Sequence, residues 1–418
     1  MDRETLVYVD LEAEALLVGR LWGRTRKGRD SASFEYDKGW LRHPSRFSLE
    51  PALTLGEGAF HTPAGKAMFG AIGDSAPDRW GRVLMRRAER QRARQANETP
   101  RTLREIDYLL LVNDEARQGA LRFAEKEGGP FLATGKRKPI PPLLKLPQLL
   151  AAAGHVAEDS ETAEELRLLL APGSSLGGAR PKASVRDKDG QLAIVKFPHR
   201  DDEINTVLWE ATALKLAARA GLPVPKWRLE TVGDQPVLLL RRFDRAKNIR
   251  IPFLSAMSML GAGDNESHSY LEFVDALRQH GAAPKQDMHT LWRRIVFNVL
   301  ISNTDDHLRN HGFLYGGPDG WHLAPAYDLN PVPVDIKPRV LTTAIDEEDT
   351  TASLELALSV ADYFGLDQAQ ARAIAIEVGE AVGTWRAEAA ALGLDKSEIE
   401  RMASAFQHAD LDAARGRA

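Results

Sequence analysis

Between residues 290 and 315 the chain reads TLWRRIVFNVLISNTDDHLRNHGFLY, a segment with little structural freedom. Leu291, Ile295 and Val299, flanked by Trp292 and Val296, recur at the helical period and predict a largely buried helix ending near Ser302. Residues 312–315 read as an apolar strand. Caught between the two is the polar run Asn303, Thr304, Asp305, Asp306, His307, Leu308, Arg309 and Asn310. Solvation alone does not account for polar residues so placed. Either they cap the helix and shape a turn, or they are held for chemistry.

Their spacing favours chemistry. Asp305 and Asn310 are five residues apart, the separation in a protein-kinase catalytic loop, where the Asp takes the hydroxyl proton and the Asn reaches a metal ion. A turn at residues 316–320 and an expected strand WHLAPAYDLNP then bring Asp328 eighteen residues past Asn310. Tyr327-Asp328-Leu329 stands where the kinase DFG triplet would stand. Asp305, Asn310 and Asp328 offer the hard oxygen donors that Mg²⁺ prefers, and the scarcity of suitably spaced His pairs argues against zinc.

An earlier stretch supplies complementary parts. SSLGGARPKASVRDKDGQLAIVKF carries an Asp189-Gly190 turn between two alternating segments, so residues 182–186 and 191–197 are expected to pair as antiparallel strands. Gly173, Ser174, Ser175, Gly177 and Gly178 lead into that hairpin; they suit either a plain turn or a backbone whose amides cradle phosphate. The Walker pattern is not met. Lys196 shares a strand face with Leu192 and Ile194, as an exposed strand end or as an ammonium in an apolar setting. The helix expected over residues 205–220 puts Glu210 on an apolar stripe with Val207, Ala211, Leu214 and Ala218. An inward carboxylate needs a cation, and a strand Lys paired with a helix Glu is how kinases hold nucleotide phosphates. PVLLLRRFDR reads as a buried strand leaving through Arg241, Arg242 and Phe243, where a two-lobed kinase would have its adenine hinge.

With 418 residues the chain suggests two or three domains. EKEGGPFLATGKRKPIPPLLKLP (residues 125–147) has linker chemistry, with Gly128, Gly129, Pro130, Pro139, Pro141, Pro142 and Pro147. Before it, LVYVDL and ALLVGRLW read as strands, and residues 78–94 as a helix with Arg82, Arg86, Arg87, Arg90, Arg92 and Arg94, either a solvated face or a partner or nucleic-acid surface. No cysteine is present, which excludes thiol nucleophiles, thiolate metal sites and disulfides. Lys and Arg total 55 against 59 Asp and Glu, a net charge of −4, so nucleic-acid binding would have to be local. The opening residues lack an uninterrupted apolar core, and no stretch approaches membrane-span length, so a cytoplasmic, soluble protein without membrane contact is expected.

Taken together, SSLGGARPKA, AIVKFP, WEATALKLAARAGLPVP, LLRRFDR, NTDDHLRNHGFLY and LAPAYDLNP resemble, in this order, the HipA family of bacterial serine/threonine kinases, the toxins of toxin-antitoxin pairs. The likeness reaches the N-terminal part through FEYDKGWL, residues 53–73, SAPDRWGR and LLLVNDEARQGALRF, and extends to about residue 345. It implies Asp305 as catalytic base, Asn310 and Asp328 as Mg²⁺ ligands, and Lys196, with Glu210 as its ion-pair partner, as the phosphate-contacting lysine. It also implies a phosphate loop of Gly177, Gly178, Ala179, Arg180 and Lys182, and ATP contacts from Arg241, Phe243, His307 and Tyr327. Ser175 matches the family's autophosphorylated serine, with Ser174 beside it. The sequence differs in having Arg180-Pro181 before Lys182, and Arg241 where an acidic hinge residue can occur.

The expected architecture is α+β and kinase-like: an N-terminal subdomain (residues 1–135), an N-lobe with the Gly-rich loop (145–245) and a mainly helical C-lobe (246–418). The resemblance implies ATP and Mg²⁺ as cofactors, a protein hydroxyl as acceptor with an aminoacyl-tRNA synthetase as substrate, and a small helix-turn-helix antitoxin as partner, with DNA reached only through that complex. A small-molecule kinase and a weakly active co-repressor of the antitoxin are the alternatives.

Overall fold

The computed structural model describes residues 3–134, 139–170, 178–247, 249–264 and 266–416. The chain packs as two compact units, Met1–Arg200 with Glu230–Leu254, and Asp201–Leu229 with Ser255–Ala418.

The first unit begins with an antiparallel sheet. β1 (Arg3–Leu11), β2 (Glu14–Arg26) and β3 (Arg29–Tyr36) follow one another, and β4 (Ala59–His61) and β5 (Leu121–Ala124) complete the order β4-β3-β2-β1-β5. β2 is far longer than the eight residues its apolar stretch suggests. Past Trp22 the strand becomes steadily more exposed, and register with β3 is kept to Arg26. The second sheet contains β6 (Lys182–Arg186), β7 (Leu192–Lys196), β8 (Trp227–Val232) and β9 (Gln235–Arg241) in the order β6-β7-β9-β8. β6 and β7 form the expected hairpin, with Gly190 at φ +78° where a side chain would be strained.

One apolar core joins three helices to the second sheet. Trp80 and Leu84 of the Arg79–Ala96 helix pack with Leu149 and Val156 of the Leu146–Ala157 helix, Leu166 and Leu169 of the Ala163–Leu170 helix, and the inward residues Val185, Val195, Val237 and Leu239 of the second sheet. Each such fully buried side chain contributes roughly 1.5–3 kcal/mol relative to exposure. Asp78 starts the Arg79–Ala96 helix by accepting a hydrogen bond from the Gly81 amide.

The second unit is mainly helical. The Thr206–Arg219 helix is capped by Asn205, whose side chain accepts from Leu208 N, and ends before Gly221 at φ +77°. It is buried almost all round, Glu210 included, although Ala218, placed on its inner stripe by periodicity, is exposed. Trp209 lies 5.9 Å from Phe406, which stacks on Trp385 at 4.6 Å. The Pro284–Leu300 helix runs through the unit with Leu291, Trp292, Ile295, Val296 and Val299 buried, and the strands Gly312–Tyr315 and Trp321–Leu323 form a hairpin beyond it. Among the described residues no helix is long and apolar enough to cross a membrane.

Candidate active site

The polar run after the Pro284–Leu300 helix divides into an inner and an outer set. Asn303, Thr304, Asp306, Asn310 and His311 are buried, whereas the Asp305 side chain is 64% exposed. Burial of its neighbours is what thrusts Asp305 outward. Asp306 Oδ2 accepts from Tyr270 Oη at 2.7 Å and Asn298 Nδ2 at 2.6 Å, and lies 2.7 Å from His311 Nε2, while Arg294 Nη2 stands 3.7 Å from Asp306 Oδ1. Burial pushes the Asp306 carboxyl up, but His311, the Arg294 guanidinium and the Tyr270 hydroxyl outweigh it and hold the group at about 2. Burial and Arg294 lower His311, so its imidazole is neutral at pH 7 and its Nε2–H is the donor to Asp306.

This buried anchor fixes the loop's main chain. The Thr343 hydroxyl donates to Asp306 O at 2.7 Å, and Thr342 Oγ1 donates to Thr304 O at 2.9 Å. Asn310 closes the loop. Its Nδ2 donates to Asp305 O at 3.0 Å, and its own carbonyl accepts from Arg294 Nη2 at 2.6 Å. Asn310 Oδ1 is buried with no hydrogen-bond partner among the described residues, the condition of an oxygen suited to a cation. Lys337 reaches the outer face, with Nζ 3.5 Å from Asp305 Oδ1.

Asp328 lies in a loop rather than a strand. The strand predicted to run through it stops at Leu323, two residues before Pro325, which has no N–H to continue a ladder. Asp328 takes the left-handed φ of +58°, rare for a residue with a Cβ and kept only where the surroundings enforce it. Those surroundings are the polar run after the Pro284–Leu300 helix. Tyr327 Oη donates to Arg309 O at 2.9 Å, Asn330 N donates to Asn303 Oδ1 at 3.3 Å, and Asn330 Nδ2 donates to Asp328 O at 3.1 Å and Oδ1 at 3.3 Å. Among the described residues no three His, Asp or Glu side chains gather as a self-sufficient metal site. Asn310 Oδ1, buried without a partner among the described residues, and the half-buried Asp328 are oxygen donors of the kind that Mg²⁺ takes together with phosphates. His307 is half-buried, with Nδ1 also lacking a partner among the described residues.

The other expected positions lie in the first unit, except Glu210, which belongs to the second. Lys182 and Lys196 are register partners across β6 and β7. Lys196 is half-buried at the end of its strand. Lys182 is deeply buried, with Nζ 2.8 Å from Asp78 Oδ2 and donating to Gly178 O at 3.2 Å. Gly178 has φ +88°, and Ala179 and Arg180 beside it are exposed. Gly177, Ser174 and Ser175 lie outside the described residues.

Arg241 Nη2 turns to Asp189 Oδ2 at 2.7 Å, and the Phe243 ring lies 6.4 Å from that of Phe253. Between them, Arg242 is fully buried. It pairs with Asp244 at 2.5 Å and donates to the carbonyls of Ala116 at 2.8 Å and Arg117 at 3.3 Å. Asp244 Oδ2 also accepts from Gly119 N at 2.8 Å, so the RRFDR stretch fastens the end of the second sheet to the loop before β5.

Sequence reasoning missed the buried anchor of Tyr270, Arg294, Asn298, Asp306 and His311, as well as Lys337 and Asp78. One signal was available. Arg294 and Asn298 are one turn apart among the apolar residues Leu291, Ile295, Phe297 and Val299, and an inward polar pair at that spacing requires a buried partner.

Comparison with known proteins identifies the family and the fold. The family model for the HipA N-terminal domain matches residues 10–105, and that for the HipA-like C-terminal domain matches residues 174–386, about half the chain. A protein of Sinorhizobium fredii named "Putative kinase Y4mE" is 27% identical over 181 residues, covering 37% of this chain and 41% of that protein. A Haemophilus influenzae protein named "Putative kinase" is 24% identical over 243 residues, covering 50% of this chain and 68% of that one. Among solved structures, HipA in the Shewanella oneidensis MR-1 complex of HipA, HipB and operator DNA superposes with a TM-score of 0.68 at 18% identity, over 99% of this chain and 97% of that chain. The mixed helix-and-sheet architecture is therefore a kinase-like α+β fold, and the chain belongs to the HipA family.

Proposed function

We propose that this chain is an ATP- and Mg²⁺-dependent kinase that transfers the γ-phosphoryl group to a serine or threonine hydroxyl of a protein, as the toxin of a toxin-antitoxin pair. The observation that carries the reading is the Asn310 clasp: one amide atom fixes the Asp305 carbonyl while the other, buried and unpartnered among the described residues, is left for a cation. Asp305 takes the proton of the attacking hydroxyl, held in place by the buried Asp306 anchor next to it in sequence. Asn310 Oδ1 and Asp328 would hold Mg²⁺, which when bound neutralises charge on the phosphates. Lys196 contacts the phosphates and is steadied by Glu210; the 177–182 loop, Arg241, Phe243, His307 and Tyr327 complete the nucleotide site.

The exposure of Asp305 favours an acceptor hydroxyl borne on a macromolecule, and an aminoacyl-tRNA synthetase is the substrate we propose. A small DNA-binding antitoxin is the proposed partner, as HipB is in the Shewanella complex. Ser175 is the proposed site of autophosphorylation, which would place about two negative charges in the phosphate loop and switch the enzyme off.

The test is phosphoproteomics after brief expression of wild type and Asp305→Asn, together with nucleotide-binding titrations. New phosphoserine or phosphothreonine with wild type alone, and equal ATP binding by both forms, is the expected result. Near wild-type phosphorylation by Asp305→Asn would overturn the assignment.

A further inference from the structure

The Arg79–Ala96 helix carries two populations of arginine. Arg82 pairs with Glu105 at 2.5 Å, Arg87 with Asp159 at 2.6 Å and Glu161 at 2.7 Å, and Arg92 with Glu89 at 2.9 Å and Glu98 at 2.8 Å. Arg79, Arg86, Arg90 and Arg94 are exposed, and among the described residues none makes an ion pair or hydrogen bond through its side chain. At 3.6 residues per turn these four fall within a sector of roughly 80° and span about 22 Å along the axis. No acidic residue shares that sector, which otherwise holds the half-buried Val83. Four unneutralised guanidinium groups in a straight row repel one another, and nothing in the packing of the helix calls for them.

We infer that this row is a docking surface for the phosphate backbone of duplex DNA, contacted directly by this chain. Two features choose the partner. The apolar side chains of the same helix, Trp80, Leu84 and Met85, are already consumed in buried clusters, so no apolar face remains to enter a lipid interface. Nor does the row include an aromatic side chain, since Trp80 is buried, and single strands are usually gripped by stacking on such rings. A rigid row of guanidinium groups matches a rigid duplex, whose charges recur along a straight axis and whose phosphates suit the planar guanidinium fork. The chain as a whole carries −4, so attraction must come from this patch rather than from bulk charge.

The test needs no phosphoryl transfer and is therefore independent of the proposed activity. Full-length protein is titrated into a fluorescent 30-base-pair duplex of arbitrary sequence at 50 to 200 mM salt. Four phosphate contacts give a log–log salt slope of about −3.6, so affinity should fall about a hundredfold across that range. Changing Arg79, Arg86, Arg90 and Arg94 together to Gln should abolish the slope, while Arg90→Gln alone should reduce it by about 1. Changing Arg42, Arg46, Arg372 and Lys396 to Gln, an equal charge removed elsewhere, should leave it unaltered. The inference is overturned if the fourfold arginine variant, folded by circular dichroism, keeps the wild-type slope, or if the control variant loses it equally. It is likewise overturned if wild type binds anionic vesicles or polyglutamate as tightly as the duplex at the same salt.

Discussion

Lys182 and Asp78 form an ion pair at 2.8 Å with side chains only 3% and 8% exposed, although 104 residues separate them. Asp78 lies within the stretch matched by the family's N-terminal domain, and Lys182 opens β6 in the part matched by the C-terminal domain. The two family domains thus share a buried charge pair, and Trp80 Nε1 donates to Lys182 O at 3.0 Å beside it.

Removing one partner strands a buried charge. Asp78→Asn and Lys182→Met are each expected to lower stability by about 3–5 kcal/mol, and the double variant by much less than the sum. Urea unfolding measures all three. Additive losses would show that the two charges are independent.

The buried anchor of Asp306, beside the proposed base Asp305, gives a second expectation. Asp306→Ala leaves Arg294, His311 and Asn298 facing an empty buried site, so it should cost on the order of 3 kcal/mol and also remove activity, because Asp305 loses its support. Asp305→Asn, at an exposed position, should remove activity while leaving the urea midpoint within the equivalent of about 0.5 kcal/mol. Paired activity and unfolding measurements on the two variants separate the roles.

A third expectation concerns pH. His408 caps the Ala409–Ala414 helix and its Nε2 donates to Leu300 O at 3.2 Å; burial and Arg339 lower it to about 4. Its folded value lies below the unfolded value near 6.5, so its stabilisation is complete above pH 6.5 and is lost as pH falls toward 4, where the imidazolium would have to be buried. The loss amounts to on the order of 3 kcal/mol. Stability should therefore decline between pH 6.5 and 4, and His408→Asn, which retains a capping side chain, should flatten that decline in chemical denaturation curves.

Much of this was legible before the fold. The Asp189-Gly190 turn, the capped 205–220 helix and the Asp305 to Asn310 spacing are local signals, and local chemistry enforces them in the structure. The strand expected through Asp328 failed because alternation continues past Leu323 in the sequence, while Pro325 and the left-handed Asp328 end the ladder. The inward turn of Asp306 was not legible. Two adjacent aspartates are alike on paper, and only Tyr270, Arg294 and His311, supplied by two helices and a strand edge, decide which of them is buried. The same holds for Lys182, which the family resemblance places in the phosphate loop: that its ammonium pairs with an aspartate more than one hundred residues away could not be read from the sequence.

The last expectation addresses the proposed pairing of Lys196 and Glu210. Glu210 is 4% exposed on a helix buried almost all round, where an ionised carboxylate without a cation would cost several kcal/mol. Lys196 ends β7 half-buried, at the register position opposite the already paired Lys182, so it is a second cation beside one that Asp78 neutralises. If Lys196 and Glu210 work as a unit holding the phosphates, Lys196→Met and Glu210→Gln should each lower kcat/KM by about 10²–10³, and the double variant scarcely further. Glu210→Gln should act mainly through KM for ATP, because it loosens the lysine without removing its charge, whereas Lys196→Met should also lower kcat by taking a positive charge from the transition state. Steady-state kinetics with varied ATP reads both effects. Losses that multiply in the double variant would show that Glu210 serves only its own helix, and that Lys196 meets the phosphates without it.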